Sequence, residues 1–209
     1  MKEERFVGTE INNNIFLENA RKEKNVLMES FIIPNPKVKN EKLKNFIIRD
    51  ASMYVTTLEE SNLADTEFKQ THLEKSRFNK CNIDKTLFYQ SNLDELWLNE
   101  STLRFTDFID TFLRRAIINK SNLTRCNIED VDFTNSYLDF VQFVGCKIKK
   151  CNLKGSQLRR CEFRECEFKD IDLDKADLAD TQFHECIFDG VKFNKDNLNW
   201  DNFHNCEFK

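Results

Sequence analysis

The residues best equipped for chemistry are eight cysteines: Cys81, Cys126, Cys146, Cys151, Cys161, Cys166, Cys186 and Cys206. Thiols can ligate metals or carry redox and nucleophilic reactions, and five of these, Cys126 through Cys206, recur at intervals of 20. His184 and His204 are also 20 apart, but two imidazoles alone do not make a zinc site. The segment 147–164 holds Lys147, Lys149, Lys150, Lys154, Arg159, Arg160 and Arg164, a basic run of the kind that binds nucleic acid. There is no glycine-rich phosphate loop and no histidine–carboxylate pair beside a nucleophile. No residue is therefore assigned a catalytic, cofactor-binding or metal-binding role.

What positions these residues is a repeat. Every fifth residue from Leu63 to Phe208 is Leu, Ile or Phe, at all 30 positions. Those three types make up 53 of 209 residues, so chance would give about 7 or 8 matches. Upstream the same register reads Ile33, Val38, Leu43, Ile48, Met53 and Leu58. Neither a helix, with period 3.6, nor a strand, with period 2, produces a strict 5. Two residues before each centre a small residue recurs: 13 Ser or Thr, 8 Cys, 3 Val and 2 Ala, with Leu96, Ile171, Asp196 and Asp201 as exceptions. Each unit thus sends one small and one large side chain inward. Only four glycines occur, which implies a repeat defined by side-chain pairs rather than by special backbone positions.

Units such as Ser61-Asn62-Leu63-Ala64-Asp65 and Ala176-Asp177-Leu178-Ala179-Asp180 resemble the pentapeptide-repeat family, with its A-(D/N)-L-x-x pattern. The resemblance implies an all-β fold, a right-handed quadrilateral parallel β-helix of about 8–10 coils, with four units to each 20-residue coil. Residues 20 apart should then touch. From position 61 onward, 17 charged pairs at that spacing are of opposite sign and 5 of like sign. Lys75–Glu95–Arg115, Lys80–Glu100–Lys120, Asp130–Lys150–Asp170 and Lys169–Asp189–Lys209 are expected as three-coil ladders, with Asp94–Arg114, Lys147–Glu167, Lys154–Asp174 and Arg160–Asp180 as single pairs.

The coil reinterprets the reactive residues. All eight cysteines fall on the small inward seat, where a thiol packs as a small hydrophobe. The basic run encircles all four sides, and most of its members should meet an acid one coil away. No concavity for a small-molecule substrate is expected in so narrow a solenoid. The net charge of −4 gives no push toward nucleic acid or membrane, and no run of about 18 apolar residues exists. The opening Met-Lys-Glu-Glu-Arg lacks the apolar stretch of a signal peptide, so a cytoplasmic protein with free thiols is expected.

Residues 1–209 read as a single solenoid domain. Residues 4–18, with Phe6, Ile11 and Phe16 five apart, read as an N-terminal partial coil; 19–40, with Pro34 and Pro36, as an insertion; and 41–209 as a continuous β-helix. The bottom coil should expose Phe193, Leu198, Phe203 and Phe208 and pair two chains end to end about a twofold axis. Asp196 and Asp201, at inward seats there, should reach the wet end and hydrogen-bond turn amides.

Outward positions should be polar, yet Leu87, Tyr89, Trp97, Phe105, Ile109, Phe112, Ile117, Tyr137 and Phe140 are not. They mark a protein-partner surface or a dock for the N-terminal segment. Asp107, Asp110, Glu129, Asp130 and Asp132 form an acidic stripe ending at Lys147, Lys149 and Lys150. Phe6-Val7-Gly8-Thr9-Glu10-Ile11, with Phe16 following, resembles the opening of the quinolone-resistance (Qnr) pentapeptide proteins. That resemblance implies a cytosolic dimer that binds DNA gyrase or topoisomerase IV through an acidic surface resembling duplex DNA. The alternative is an interaction scaffold that uses the outward aromatics.

Overall fold

The computed structural model describes residues 4–7, 12–20, 26–194 and 198–209. From Val26 to Asn194 the five-residue units each make one straight side and one corner, and four units bring the chain back to its starting side. Residues 20 apart pair in parallel and in register: Phe68 lies on Phe88, Phe88 on Phe108, and Phe108 on Ile128. Met28 and Phe208 share one side, so the 180 residues between them make nine coils of 20. The fold is an all-β parallel solenoid.

Three sides carry sheets and one does not. The first side, centred on Ile48, Phe68 and onward to Phe208, belongs to an 11-stranded sheet. The third, centred on Val38 through Ile118, holds five strands from Lys37–Lys39 to Ile117–Asn119. The fourth holds six, from Thr102–Arg104 to Phe203–His204. The second side, centred on Ile33 through Phe193, is joined only by single bridges, from Ile32–Ser52 to Asp172–Lys192.

Register turns sequence columns into ring stacks. Phe143, Phe163, Phe183 and Phe203 stack with centroids 4.5, 5.1 and 4.7 Å apart. A second stack, Phe168–Phe188–Phe208, meets them edge-on, with Phe163 and Phe168 5.1 Å apart at 64°. Such edge-to-face contacts add to simple burial. The small seats have a polar task as well: Thr66, Thr86 and Thr181 donate to the carbonyls of Leu43, Leu63 and Leu158 at 2.8, 2.9 and 2.5 Å. For Leu43 and Leu63 the hydroxyl serves a carbonyl of the turn directly, and at Leu158 it joins the Cys161 N–H that the carbonyl also accepts, at 3.3 Å.

The corners correct one expectation. Among the described residues, thirty non-glycine residues on the five-residue register have φ between 48 and 63°, and only Gly145, Gly155 and Gly190 fill the same place with glycine. Lys175 and Trp200, on the same register, do not adopt it. The repeat does define a special backbone position, although glycine rarely occupies it. Each left-handed residue costs about 1 kcal/mol or more. Corner amides offset this by bonding the next coil, as Asp65 N–H does to Asp84 O at 3.0 Å and Gln70 N–H to Tyr89 O at 2.9 Å.

The N-terminal segment also differs from the partial coil expected over 4–18. Glu4–Val7 is a strand paired with Val26–Glu29, Phe6 opposite Met28, an offset of 22 rather than 20. Asn13–Ala20 is a helix; the Asn12 side chain accepts from Ile15 N–H at 3.0 Å, and Phe16 is buried with its ring 6.3 Å from Phe46. Ile11, Gly8-Thr9-Glu10 and residues 21–25 lie outside the described residues. The expected insertion over 19–40 is corrected too, because coil pairing begins at Val26, well before 41. Pro34 and Pro36 do not interrupt it. At the corresponding places Ala64 N–H bonds its own turn through Asn62 Oδ1, and Thr56 N–H bonds Ser76 Oγ, so the main-chain ladder needs no N–H there. Among the described residues no helix is long and apolar enough to cross a membrane.

Phe163 sits where both ring stacks meet. Phe163→Ala is expected to lower the unfolding free energy in urea by about 3–5 kcal/mol, whereas a loss below 1 kcal/mol would contradict the stack's role.

Candidate functional site

The structure places all eight cysteines on small seats as free thiols, seven of them buried and Cys206 partly so. Each takes the role of a seat hydroxyl: Cys126 Sγ donates to Leu103 O at 3.0 Å and Cys146 Sγ to Leu123 O at 3.3 Å. Burial pushes the thiols of Cys81, Cys151 and Cys161 up to about 11, 12 and 12. In the column of five, hydrogen bonding to Cys146, together with burial, holds Cys126 and Cys166 above the ordinary range, and the bonds Cys146 receives draw it below. Among the described residues no three of His, Cys, Asp and Glu come together as metal ligands. His184 and His204 stack outside the fourth side at 4.6 Å, with rings 15° apart.

The ion-pair expectation holds in part. Eight of the 17 pairs close within 4.0 Å, including Arg114–Asp94 at 2.5 Å, Arg104–Asp84 at 2.5 Å and Arg160–Asp180 at 3.7 Å. No expected three-coil ladder closes on both rungs among the described residues: Glu95 meets Arg115, Glu100 meets Lys80, Lys169 meets Asp189, and Lys150 closes on neither Asp130 nor Asp170. Lys147–Glu167 and Lys154–Asp174 are in line without closing. Long, solvated side chains gain too little from an exposed contact to be held in one rotamer. In the basic run, Lys149 meets Glu129 at 2.8 Å, Arg159 meets Asp177 at 2.7 Å, and Arg164 meets Glu162.

The acidic stripe divides. Hydrogen bonding to Lys149 lowers the Glu129 carboxyl. Asp132 accepts from Thr134 N–H and Oγ1 at 3.0 and 2.5 Å, and burial raises Asp107. Asp110 and Asp130 remain, stacked at one corner with Gln90 Nε2 donating to Asp110 at 3.1 Å.

The outward apolar residues are spread over all four sides rather than forming one patch, with Leu87, Tyr89 and Ile109 on the first. Trp97, Ile117 and Tyr137 form an in-register column on the third side, 47, 37 and 44% exposed. Arg77, one coil above, lies over Trp97 at 5.4 Å, and Arg160 lies over Phe140 at the same side's corner at 5.2 Å. Phe105 and Phe112 lie on the fourth and second sides, under Arg125 and Arg114. The 20-residue spacing already sets Arg77 against Trp97, Arg125 against Phe105 and Arg160 against Phe140, a signal carried by cation–ring rather than charge–charge pairs. The N-terminal helix docks through Phe16 against Phe46, away from these aromatics.

The last coil is partly closed. Phe193, Leu198 and Phe203 are half-buried, while Phe208 and Trp200 are exposed at 48 and 51%. Trp200 packs on Phe203 and Phe208 at 5.5 and 5.6 Å, a cover that the five-residue register does not mark. Asp201 is exposed at the wet end, as expected, on the short helix Trp200–Asn202, where its own amide donates to Asn199 Oδ1 at 3.1 Å; among the described residues no turn amide donates to its carboxylate. Asp196 lies outside the described residues. A concavity does exist, also contrary to expectation: an open cleft of about 600 Å³ between Leu173–Thr181 and the residues Asn194, Leu198, Asn199, Asn202 and Phe203, bordered by Asp174, Asp177 and Asp180.

A family model for pentapeptide repeats matches in 8 copies over residues 56–94 and, in overlapping segments, 98–194. The chain belongs to the pentapeptide-repeat family. No curated protein matches it. Among solved pentapeptide-repeat structures, a trypsin-treated variant of QnrB1, a plasmid-mediated fluoroquinolone resistance protein, is 11% identical, covering 99% of this chain and 90% of its own, with a TM-score of 0.44. HetL, involved in heterocyst differentiation regulation in the cyanobacterium Nostoc sp. strain PCC 7120, is 16% identical over 94% and 92%, at 0.36. Rfr23 from the cyanobacterium Cyanothece 51142 is 16% identical over 64% and 91%, at 0.43.

The seat geometry of this pentapeptide-repeat chain sets its thiol reactivity. In the native protein N-ethylmaleimide is expected to alkylate Cys206 alone within minutes, and all eight thiols after denaturation. Rapid native labelling of Cys126, Cys146 or Cys166, read by peptide mass, would contradict the packed column.

Proposed function

We propose that the chain is a non-catalytic protein-binding solenoid whose contact surface is the third side around Trp97, Ile117, Tyr137 and Phe140. The observation that carries this reading is the exposed in-register column, with Arg77 over its first ring. Protein interfaces are enriched in Trp, Tyr and Arg at their centres. A surface set on a hydrogen-bonded coil is already ordered, so a partner loses little entropy in meeting it.

A second reading is favoured by the stacked carboxylates of Asp110 and Asp130. An acidic edge on a rod, standing in for duplex DNA, would engage a type II topoisomerase, DNA gyrase or topoisomerase IV, and protect it from quinolones. The opposite charges around that edge, Lys149 and Lys150, weigh against it.

One pair of variants separates the two. Under the first reading, Trp97→Ala with Tyr137→Ala weakens partner capture about 30-fold or more, and Asp110→Lys with Asp130→Lys leaves it intact. Under the second, the wild-type chain restores supercoiling by fluoroquinolone-inhibited gyrase, and the charge reversal abolishes that rescue. Rescue that survives the charge reversal would contradict the acidic-edge reading, and capture that survives the aromatic truncations would contradict the aromatic one.

The last coil, with Phe193, Leu198, Phe203 and Phe208, is proposed as a self-association surface about a twofold axis. Light scattering is expected to give twice the chain mass at micromolar concentration, and a monomer would remove this proposal.

A further inference from the structure

The column of five thiols ends differently from the way it runs. Cys126, Cys146, Cys166 and Cys186 are buried, whereas Cys206 is half-exposed. Cys186 and Cys206 immediately precede the paired strands Ile187–Asp189 and Glu207–Phe208, and Glu207 N–H donates to Cys186 O at 2.9 Å. Adjacent strands lie about 4.8 Å apart, within the Cα separation of about 4.4–6.8 Å that a disulfide spans. The two sulfurs play equivalent parts on the same inner wall, Cys186 Sγ donating to Phe163 O and Cys206 Sγ to Phe183 O, each at 3.5 Å. Joining them requires the side chains to close by about 1 Å at Cβ. The last coil can supply that movement, because Phe203 is only half-buried and Phe208 is exposed. The upper pairs of the column are walled by fully buried rings such as Phe163, Phe183 and Phe188 and have no such freedom.

We propose that Cys206 and Cys186 form a dithiol modification site whose substrate is a small-molecule disulfide of the glutathione type. The Cys206 thiolate attacks one sulfur of the small disulfide, forming a mixed disulfide and expelling one thiolate. Cys186 then attacks the Cys206 sulfur, forming the Cys186–Cys206 bond and expelling the second thiolate. The two protons lost by the cysteines end on the two small thiols, so the protein dithiol is oxidised as the small disulfide is reduced. Burial raises the Cys206 thiol, so the first step quickens as pH rises. A hydrogen bond from Cys166 draws the Cys186 thiol below its ordinary range, which suits the second, resolving step. The product joins the last coil covalently to the one above it.

The full-length protein is first diluted until light scattering gives a monomer, so that the last coil is uncovered. Held in oxidised glutathione under native conditions and then quenched with acid, it supplies the test by intact mass and peptide mapping. The expected product has lost two hydrogens and carries one Cys186–Cys206 crosslink. Cys186→Ser should stop at a glutathione adduct on Cys206, and Cys206→Ser should not react. Serine or threonine already fills 13 of the 30 seats, so these substitutions suit the position; the wild-type map decides the matter even if one of them folds poorly. A stable adduct on wild-type Cys206, a bond between two chains, oxidation confined to other cysteines, or no reaction would each overturn the proposal.

Discussion

Parallel pairing in register between successive coils is the interaction on which everything else in this molecule rests. Once Phe88 must lie on Phe68, each residue's environment is set by the residues 20 before and 20 after it. Like then stacks on like: rings on rings, thiols on thiols, His184 on His204. The seats must be small because each shares the interior with large side chains from neighbouring sides. They are drawn from Ser, Thr and Cys because one donor per seat satisfies a carbonyl of the coil above. The cysteine excess is therefore an excess of one kind of seat filler.

The same register governs the outside, with weaker consequences. It brings opposite charges into line, but alignment becomes contact mainly where one partner is itself constrained. Asp84 and Asp94 are buried acids that also accept from the backbone amides of Arg104 and Arg114, at 2.9 and 3.0 Å, and their guanidinium pairs are among the shortest in the structure. Lysine pairs such as Lys80–Glu100, at 3.9 Å, stay loose. Arginine also covers Trp97, Phe105 and Phe140 from one coil away, so much of the exposed aromatic area already has a cationic neighbour.

The coil length and the core were legible because burial of one large and one small residue per side leaves a strict period. Three features were not. The corner conformation is hidden because Lys, Glu, Asp and even Phe105 adopt it without a change of residue type. The helix Asn13–Ala20 is hidden because Phe6 and Phe16 preserve a five-residue spacing across a change of structure. The start at Val26 is obscured because Pro34 and Pro36 look like breakers while standing where no ladder N–H is required. At the candidate surface, the column Trp97–Ile117–Tyr137 followed directly from the coil length. Trp200 did not, because it packs from a helical turn outside the repeat geometry.

Because the core repeats every five residues and the surface every twenty, the two respond differently to changes in length. Losing one pentapeptide leaves every inward seat filled, yet it carries all that follows a quarter turn about the axis. Trp97 and Tyr137 would then sit on different walls if the loss fell between them. Losing a whole coil removes a floor and keeps every wall aligned. Drift in length by fives would thus preserve the fold while reshuffling its outer surface, and only steps of twenty would be silent to a partner. The offset of 22 between Phe6 and Met28 is the one described place where this phase is broken, and the helix Asn13–Ala20 lies within that longer turn.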